Sequence, residues 1–381
     1  MDGHDLLERL RGTADFESVG DAPERERPAR RRRNVPDLSE CITHVVAGNR
    51  RMPVLKAMTT TACERDCLYC PFRAGRSAMR RVKITPDDLA RGFMALYRVG
   101  AVEGLFLSSG VVHGGVSSQD AILDVGAILR EKYHFGGYIH LKIMPGAERD
   151  QVLRAMTLAN RVSANLEAPT ADRLARIAPS KQFAAELLDP LRWVHELRQS
   201  SEGRLRASST TEFVVGPAGE PDVELLSATE HLHRQLGLAR VYFSAFRPVP
   251  DTPLDNVTPT NDTRRIRLYQ ASFLIRDYGF GLEEMPFTAS GNLPLHVDPK
   301  RAWADAHLRE APLEVNTATR RALMRVPGIG AKGAERILAA RRGGRLRSLE
   351  DLRGAGVANV ERAAAYLLLD GRRPLEQPRL F

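Results

Sequence analysis

The stretch Thr59-Thr-Thr-Ala-Cys63-Glu-Arg-Asp-Cys67-Leu-Tyr-Cys70-Pro-Phe72 places three of the four cysteines of this 381-residue chain within eight residues. Clustered thiols of this kind favour a metal site in a reducing compartment over a disulfide framework. The spacing Cys-x3-Cys-x2-Cys lets one short loop wrap a cubane [4Fe–4S] cluster, with three irons bound and the fourth open to a substrate or cofactor. A three-ligand zinc site and chance spacing are the alternatives.

Six β-rich runs alternate with amphipathic stretches around this loop. The predicted strands are Val54–Thr59, Val102–Ser108, Tyr138–Met144, Arg161–Glu167, Arg206–Val215 and Arg240–Phe246. Between the first two, Thr85 and Pro86 predict the N-cap and first position of a helix that ends at Val99. Six successive βα units predict an α/β fold, a partial (βα)6 TIM-like barrel with a parallel sheet. The cysteine loop follows the first strand, at the carboxyl-terminal edge where such folds carry their sites.

The cysteine loop resembles that of the radical S-adenosylmethionine (SAM) superfamily, in which an aromatic residue, here Tyr69, precedes the third cysteine. The resemblance covers roughly Met52–Gly281. It implies a [4Fe–4S] cluster on Cys63, Cys67 and Cys70, whose open iron chelates SAM. It also implies that one electron, from a donor such as flavodoxin or ferredoxin, cleaves SAM to methionine and a 5′-deoxyadenosyl radical.

Two of the predicted strands carry polar residues on one face and apolar residues on the other. The polar residues are Ser163, Asn165 and Glu167 in one strand and His140 and Lys142 in the other. A strand covered by helices is normally apolar on both faces, so these residues predict a polar barrel interior. A reversed phase, or strand ends that are simply solvated, is the alternative. Thr210 and Glu212 are candidates for the substrate side.

The superfamily resemblance implies roles for several of these positions. Ser108-Ser109-Gly110 stands where the family commonly has Gly-Gly-Glu and would bind the amino group of SAM. Asn165 and Glu167 would lie near the cofactor, with Glu167 on the ribose hydroxyls. The predicted cofactor-binding residues are Tyr69, Ser108, Ser109, Gly110, Lys142, Ser163, Asn165 and Glu167.

Other groups near the loop allow narrower inferences. Cys41 is the one cysteine outside the loop and cannot hold a second cubane cluster, which disfavours reactions that need one. Five cations follow the loop and would either hold substrate phosphates or form a solvated segment. They are Arg73, Arg76, Arg80, Arg81 and Lys83.

The segment from Thr319 to Leu338 predicts a helix, a tight turn and a second helix. Pro327-Gly328-Ile329-Gly330 ends the first helix, and the backbone N–H groups that begin the second helix form a site for phosphate, beside Lys332. This pattern resembles a helix-hairpin-helix motif, which binds the DNA backbone without sequence preference. Its predicted apolar core consists of Leu323, Val326, Ile329, Ala334 and Ile337.

A degenerate second hairpin is predicted between Leu352 and Tyr366, with Gly354 and Gly356 repeating the turn. Paired hairpins of this kind usually straddle one minor groove, with a weak, salt-sensitive affinity of about 10⁻⁴–10⁻⁶ M. The alternative is a helical packing or dimerisation module. The predicted DNA-binding residues are Gly328, Ile329, Gly330, Lys332, Gly354 and Gly356.

Charge and composition place these elements in the chain. Residues 301–381 hold 16 Lys and Arg against 9 Asp and Glu, which is most of the net charge of +9 and points to a polyanionic partner. No apolar run reaches the length of a membrane span and no signal peptide is visible, so we expect a cytoplasmic protein. The sequence predicts an irregular basic N-terminal arm (1–50), a radical SAM barrel (51–284), a bridge (285–312), a small all-α helix-hairpin-helix domain (313–371) and a tail (372–381).

Four further stretches narrow the resemblance: Glu103–Gly110, Gly137–Gly146, Asp298–Trp303 and Glu314–Ala318. They resemble bacterial radical SAM proteins with a carboxyl-terminal helix-hairpin-helix, which are described as DNA modification or repair proteins. That resemblance implies a uracil-DNA-glycosylase-like partner, although this chain lacks the extra amino-terminal cysteines of many members. The ending Gln377-Pro-Arg-Leu-Phe381 resembles a peptide that docks on the bacterial sliding clamp, and an ordinary frayed end is the alternative.

Three functions follow as hypotheses. The first is a radical SAM enzyme that modifies or repairs a nucleotide in DNA. The second keeps the radical chemistry but acts on RNA, such as tRNA. The third is an iron–sulfur sensor bound to DNA that does not turn over.

Overall fold

A computed structural model describes residues 2–10, 41–47, 50–76 and 81–374. The basic stretch at residues 23–33, Arg80 and the peptide Gln377–Phe381 lie outside the described residues. The chain forms two compact units, residues 1–220 with 231–261 and residues 221–230 with 262–381. The domain boundaries set out above stay predictions. In the described part of the chain, no helix is long and apolar enough to cross a membrane.

The first unit is built on a seven-stranded sheet whose strands lie side by side in chain order. The strands are β1 (Ile42–Ala47), β2 (Arg50–Met58), β3 (Gly104–Ser108), β4 (Tyr138–Lys142), β5 (Arg161–Ser163), β6 (Ser208–Val215) and β7 (Arg240–Ala245). β1 pairs antiparallel with β2, and every later pair is parallel. The six parallel strands are the six that the sequence predicts, and the partial TIM-like α/β fold is confirmed.

Helices connect these parallel strands. They are α2 (Pro86–Arg98), α3 (Val116–Ala127), α4 (Arg149–Leu158), α5 (Ala171–Ala175), α6 (Asp189–Ser200) and α7 (Asp222–Leu236), with π-helical turns at Ile128–Lys132 and Phe183–Leu188. A further helix, α1 (Gly3–Leu10), precedes β1. The predicted start of α2 is confirmed, because Thr85 Oγ1 accepts a hydrogen bond from Asp88 N and Pro86 is the first helical residue. The cap satisfies one of the unpaired N–H groups of the first turn.

The expectation of an irregular segment at residues 1–50 is wrong for α1 and β1. Leu6 and Leu10 of α1 are fully buried, and α1 packs on α2. Gly92 allows this close approach, since a Cβ at that position would lie 2.8 Å from Leu6 Cβ. The apolar residues of α1 are too few to stand out among its charges, and burial against α2 stabilises so short a helix.

The fourth predicted strand, Arg161–Glu167, is shorter than expected and ends at Ser163. Glu167 has a φ of 62°, in the left-handed region that non-glycine residues adopt at a cost and that a strand cannot contain. The segment nevertheless follows β6, because Glu167 N donates to Glu212 O (2.9 Å) and Val214 N donates to Glu167 O (2.8 Å). The break turns the Glu167 side chain away from regular strand alternation.

The second unit is mainly helical. Its helices are α8 (Asp262–Asp277), α9 (Pro299–His307), α10 (Arg320–Met324), α11 (Ala331–Ala340), α12 (Leu349–Gly354) and α13 (Val360–Ala363). The expectation of an all-α tail needs a correction, because β8 (Leu313–Glu314) and β9 (Leu367–Leu368) form a short parallel pair. Leu367 is fully buried there, so the pair closes the hydrophobic core of the tail. The predicted apolar core of the first hairpin is confirmed, as all five of its residues are fully buried.

Arg325, which follows α10, connects the hairpins to the segment before them. Its guanidinium lies 4.5 Å from the Phe280 ring centroid and 4.9 Å from that of Trp303. It also pairs with the Glu284 carboxylate, whose pKa is lowered to about 2 chiefly by this hydrogen bond. Stacking and ion pairing together fix the guanidinium, so the residues around Phe280 are part of the hairpin unit.

Candidate active site

A cavity of about 610 Å³ lies at the carboxyl-terminal ends of the parallel strands. It is lined by nine of the predicted site residues: Cys63, Cys67, Tyr69, Cys70, Ser109, Gly110, Lys142, Asn165 and Glu167. Ser108 and Ser163 are buried and do not belong to this lining. Ser163 Oγ instead lies 2.9 Å from His140 Nε2, deeper between β4 and β5. Of the two substrate-side candidates, Glu212 lines the cavity and Thr210 does not.

Backbone hydrogen bonds attach the cysteine loop to three neighbouring segments. Thr61 N donates to Val82 O (2.9 Å), Glu64 N to Val111 O (2.8 Å) and Leu68 N to Ile177 O (2.8 Å). Ser109 also reaches the start of the loop, where its hydroxyl accepts from Thr59 Oγ1 at 2.8 Å. The loop therefore has a defined shape before any metal is considered, because its polar groups are paired with the protein itself.

Arg81 is a structural residue of this loop. Its guanidinium donates to the carbonyl oxygens of Thr61 and Phe72 (both 2.8 Å), Arg73 (2.9 Å) and Arg76 (3.2 Å). Both expectations for Arg81, a phosphate ligand or a solvated cation, are therefore wrong. The fixed fork of donors on an arginine is suited to bridging several carbonyls, and lysine has no equivalent geometry.

We expect Arg81→Met to lower the free energy of unfolding by about 2–4 kcal/mol, since it leaves several part-buried carbonyl oxygens without their charged donor. Thermal or urea unfolding of the metal-free protein measures this. Arg98→Met, on the exposed end of α2, is the matched control and should change stability little. Equal stability of the two variants would show that the loop does not depend on Arg81.

A buried ion pair stands on one wall of the cavity. Lys181 Nζ lies 2.9 Å from Glu167 Oε1, and both side chains are more than nine-tenths buried. Burial alone would raise the pKa of Glu167, but the charges of Lys181 and Lys142 and hydrogen bonds from Lys181 and Tyr69 hold it below its usual value. Glu167 is thus a fixed, ionised carboxylate that faces the cavity.

Sequence reasoning missed two parts of the cavity. Lys181 follows a short helix in a stretch without strand or helix periodicity, so no local signal marks it. Arg247-Pro248-Val249-Pro250 directly follows β7 and lines the cavity. The rule that sites lie at the carboxyl ends of parallel strands points to this second segment.

The first hairpin of the second unit has the geometry that the sequence predicts. Gly328 adopts a φ of 84°, and α11 begins after Gly330 as its N-cap. Lys332, the second residue of α11, is exposed, whereas the Ile329 side chain is fully buried. Lys300 Nζ donates to Ile329 O at 2.6 Å, which holds the turn from outside the hairpin.

The second hairpin differs from the prediction at one of its glycines. Gly354 is the last residue of α12 and does not form the turn. Gly356, with a φ of 82°, takes the left-handed position, and Asn359, with a φ of 59°, begins α13. The turn starts later than expected because α12, capped by Ser348, extends through Gly354.

The family comparisons agree with both halves of this description. Residues 58–232 match the family described as the Radical SAM superfamily, and residues 310–367 match the helix-hairpin-helix motif. The chain contains a radical SAM domain. Members of that superfamily use a [4Fe–4S] cluster and SAM. A search of curated proteins finds no match to the chain.

Several solved structures resemble the radical SAM domain at low sequence identity. The hydrogenase maturase HydG from Carboxydothermus hydrogenoformans is 15% identical over 58% of this chain and 51% of its own, with a TM-score of 0.45. Methylornithine synthase (PylB) is 12% identical over 58% and 62%, with a TM-score of 0.47. The methyltransferase TsrM from Kitasatospora setae is 13% identical over 53% and 38%, with a TM-score of 0.40. The chain thus spans less than two thirds of the length of each.

The residues of the radical SAM domain fit a cubane cluster. Three thiols from one loop face one cavity, and burial raises the pKa of Cys67 and that of Cys70, the latter to about 12. Cluster binding therefore displaces protons from these thiols. Within the described ranges, no group of three His, Cys, Asp or Glu side chains is arranged to hold a single metal ion. In a cubane cluster each cysteine binds a different iron.

Proposed function

We propose that this radical SAM enzyme binds duplex DNA through its hairpin tail and acts on a nucleotide within that DNA, for modification or repair. The observation that carries the proposal is a helix-hairpin-helix, whose second helix begins after Gly330, on the same chain as the three-cysteine cavity. The basic excess of residues 301–381 supports it, because non-specific affinity for DNA is largely electrostatic.

The proposed roles in the cavity follow from the chemistry of its side chains. The cluster, held by Cys63, Cys67 and Cys70, would supply the electron that cleaves SAM to methionine and a hydrogen-abstracting 5′-deoxyadenosyl radical. Glu167 is a fixed anion suited to accept hydrogen bonds from the two ribose hydroxyls. Ser109 and Gly110 lie beside the cysteine loop, where we place the amino group of SAM.

Part of the cavity wall offers a place for the substrate. Glu212 Oε2 accepts a hydrogen bond from Asn165 Nδ2 at 3.4 Å, and Arg247 lines the same cavity. A carboxylate and a guanidinium can read the hydrogen-bonding edge of a nucleobase. We assign this wall to the target nucleotide, which must leave the base stack to reach the cavity.

Two partners belong to the proposal by resemblance. A uracil-DNA-glycosylase-like protein would act with the enzyme, and the Gln377–Phe381 peptide would dock on the sliding clamp. Flavodoxin or ferredoxin would supply the electron, because the reaction consumes one from outside the chain.

The deciding experiment measures 5′-deoxyadenosine formed anaerobically by the reconstituted protein with a chemical reductant, alone, with duplex DNA and with folded RNA. Stimulation by DNA is the expected result, and Cys67→Ala is the control that should form none. Stimulation by RNA alone would move the substrate to RNA. Formation with neither nucleic acid having an effect would contradict a nucleic-acid substrate, and no formation at all would favour the sensor hypothesis.

A further inference from the structure

The two hairpins of the tail begin their second helices with opposite charges. α11 has ten residues, no acidic residue in its first turn and the exposed Lys332 as its second residue. α13 has four residues, and its second residue is the exposed Glu361. A helix N-terminus attracts anions, and a carboxylate in its first turn already satisfies that attraction. The start of α11 therefore suits a phosphate, and the start of α13 repels one.

Two of the cations around the second hairpin are engaged within the protein. Arg353 pairs with Glu361 at 2.8 Å and with Glu350 at 2.7 Å. Arg336, on α11, donates to the carbonyl oxygen of Gly356 in the turn. A phosphate that approached this face would compete with these existing contacts, whereas Lys332 projects into solvent beside the first hairpin.

The second hairpin supports the turn of the first hairpin, and this structural role explains why it keeps the helix-hairpin-helix fold. A Cβ at Gly328 would lie 2.6 Å from Asn359 O, so the first turn rests directly on the start of α13. Val357, Val360 and Ala363 are buried behind it. The backbone of the first turn is thus fixed from one side by α13 and from another by Lys300, which donates to Ile329 O.

We propose that the tail grips the phosphate backbone of duplex DNA through the first hairpin alone, with the second hairpin acting as its scaffold. The inference rests on the proposed binding of DNA. In this arrangement the tail contacts one DNA strand through one hairpin and does not span a minor groove with two. Binding by the tail is then weak and allows the protein to slide along the duplex.

The test uses two matched substitutions in the full-length chain. Lys332→Ala removes the exposed cation at the start of α11, and Arg353→Ala removes the exposed cation of the second hairpin that pairs with Glu350 and Glu361. Neither residue lines the cavity. Arg362 is left unchanged, because a Cβ at Gly328, in the first turn, would lie 3.2 Å from the Arg362 Cβ. Binding to a short fluorescent duplex is measured by anisotropy over a range of salt concentrations. Lys332→Ala should weaken binding about five- to tenfold and make the dependence of log K on log salt shallower by about 1. Arg353→Ala should leave both quantities unchanged, because its guanidinium is already paired within the protein.

The outcomes distinguish a failure of the one-hairpin inference from a failure of the proposed DNA binding. If both variants lose affinity and salt dependence equally, both hairpins touch DNA and the inference is overturned. It is also overturned if only Arg353→Ala has an effect, or if neither variant does although the wild-type chain binds. Failure of the wild-type chain to bind duplex DNA at all would instead remove the proposed function on which the inference rests.

Discussion

Replacing Gly110 by alanine is expected to weaken the retention of iron by about 10- to 100-fold, the range seen when residues that support a metal site are altered. A Cβ at Gly110 would lie 2.0 Å from Ala62 O, and Ala62 directly precedes Cys63. The Gly110 N–H also donates to Thr60 O at 2.7 Å, so the two segments cannot separate without losing that hydrogen bond. The added methyl group must displace the backbone that presents the first cysteine.

Iron and sulfide per chain after anaerobic reconstitution measure this effect, together with the visible absorption of the cluster. Gly136→Ala is the matched control, because nothing lies within 4 Å of a Cβ at that position. We expect it to bind iron as the wild-type protein does. If Gly110→Ala also retained its iron, the close approach to Ala62 would not determine the position of the cysteine loop.

Replacing Lys181 by methionine is expected to lower the free energy of unfolding by about 3 kcal/mol at neutral pH, since it leaves the buried Glu167 carboxylate without its partner. The loss should shrink as the pH falls, first through the raised pKa of Glu167 in the variant and then through its lowered pKa in the wild-type protein. In the wild-type protein the pKa of Glu167 is below its usual value, so the pair stabilises the fold above that value and the stabilisation is lost as the pH falls. In the variant, burial raises the pKa, so acid no longer removes a favourable interaction.

Urea unfolding of the metal-free protein at several pH values tests this prediction. Lys132→Met is the control, because the pair of Lys132 with Asp87 is exposed and should contribute less than about 1 kcal/mol. Lys181→Arg keeps the charge and should restore most of the stability. A loss in Lys181→Met that is the same at every pH would indicate lost packing and not a lost ion pair.

The sequence predicts the fold well where local pattern and topology agree. The six parallel strands follow from their β-rich runs, and α2 follows from Thr85 and Pro86. The cysteine spacing predicts the family, because three thiolates on one loop are a local property. The apolar spacing of the first hairpin likewise predicts its buried core. In each case the decisive residues are close together in the chain.

Features that depend on distant contacts are the ones that sequence reasoning misses. Lys181 becomes a site residue only because Glu167, after β5, lies beside it. In the sequence Arg81 cannot be distinguished from a solvated cation, but in the structure it donates to backbone carbonyl oxygens of the cysteine loop and the segment after it. The left-handed Glu167 interrupts a run with clear strand alternation, since its conformation is set by its pairing with β6. No periodic pattern of residues in the local sequence predicts any of these three features.

Arg81 and backbone hydrogen bonds attach the cysteine loop to the rest of the domain, and this affects how the protein responds to oxygen. Oxygen dismantles exposed iron–sulfur clusters, and in many metalloproteins the surrounding chain unfolds with the loss of its metal. Here the protein's own hydrogen bonds hold the cysteine loop, so the loop should keep its shape when the cluster is lost. We therefore expect damage by oxygen to be a reversible loss of iron and sulfide, which resupply of both repairs without refolding.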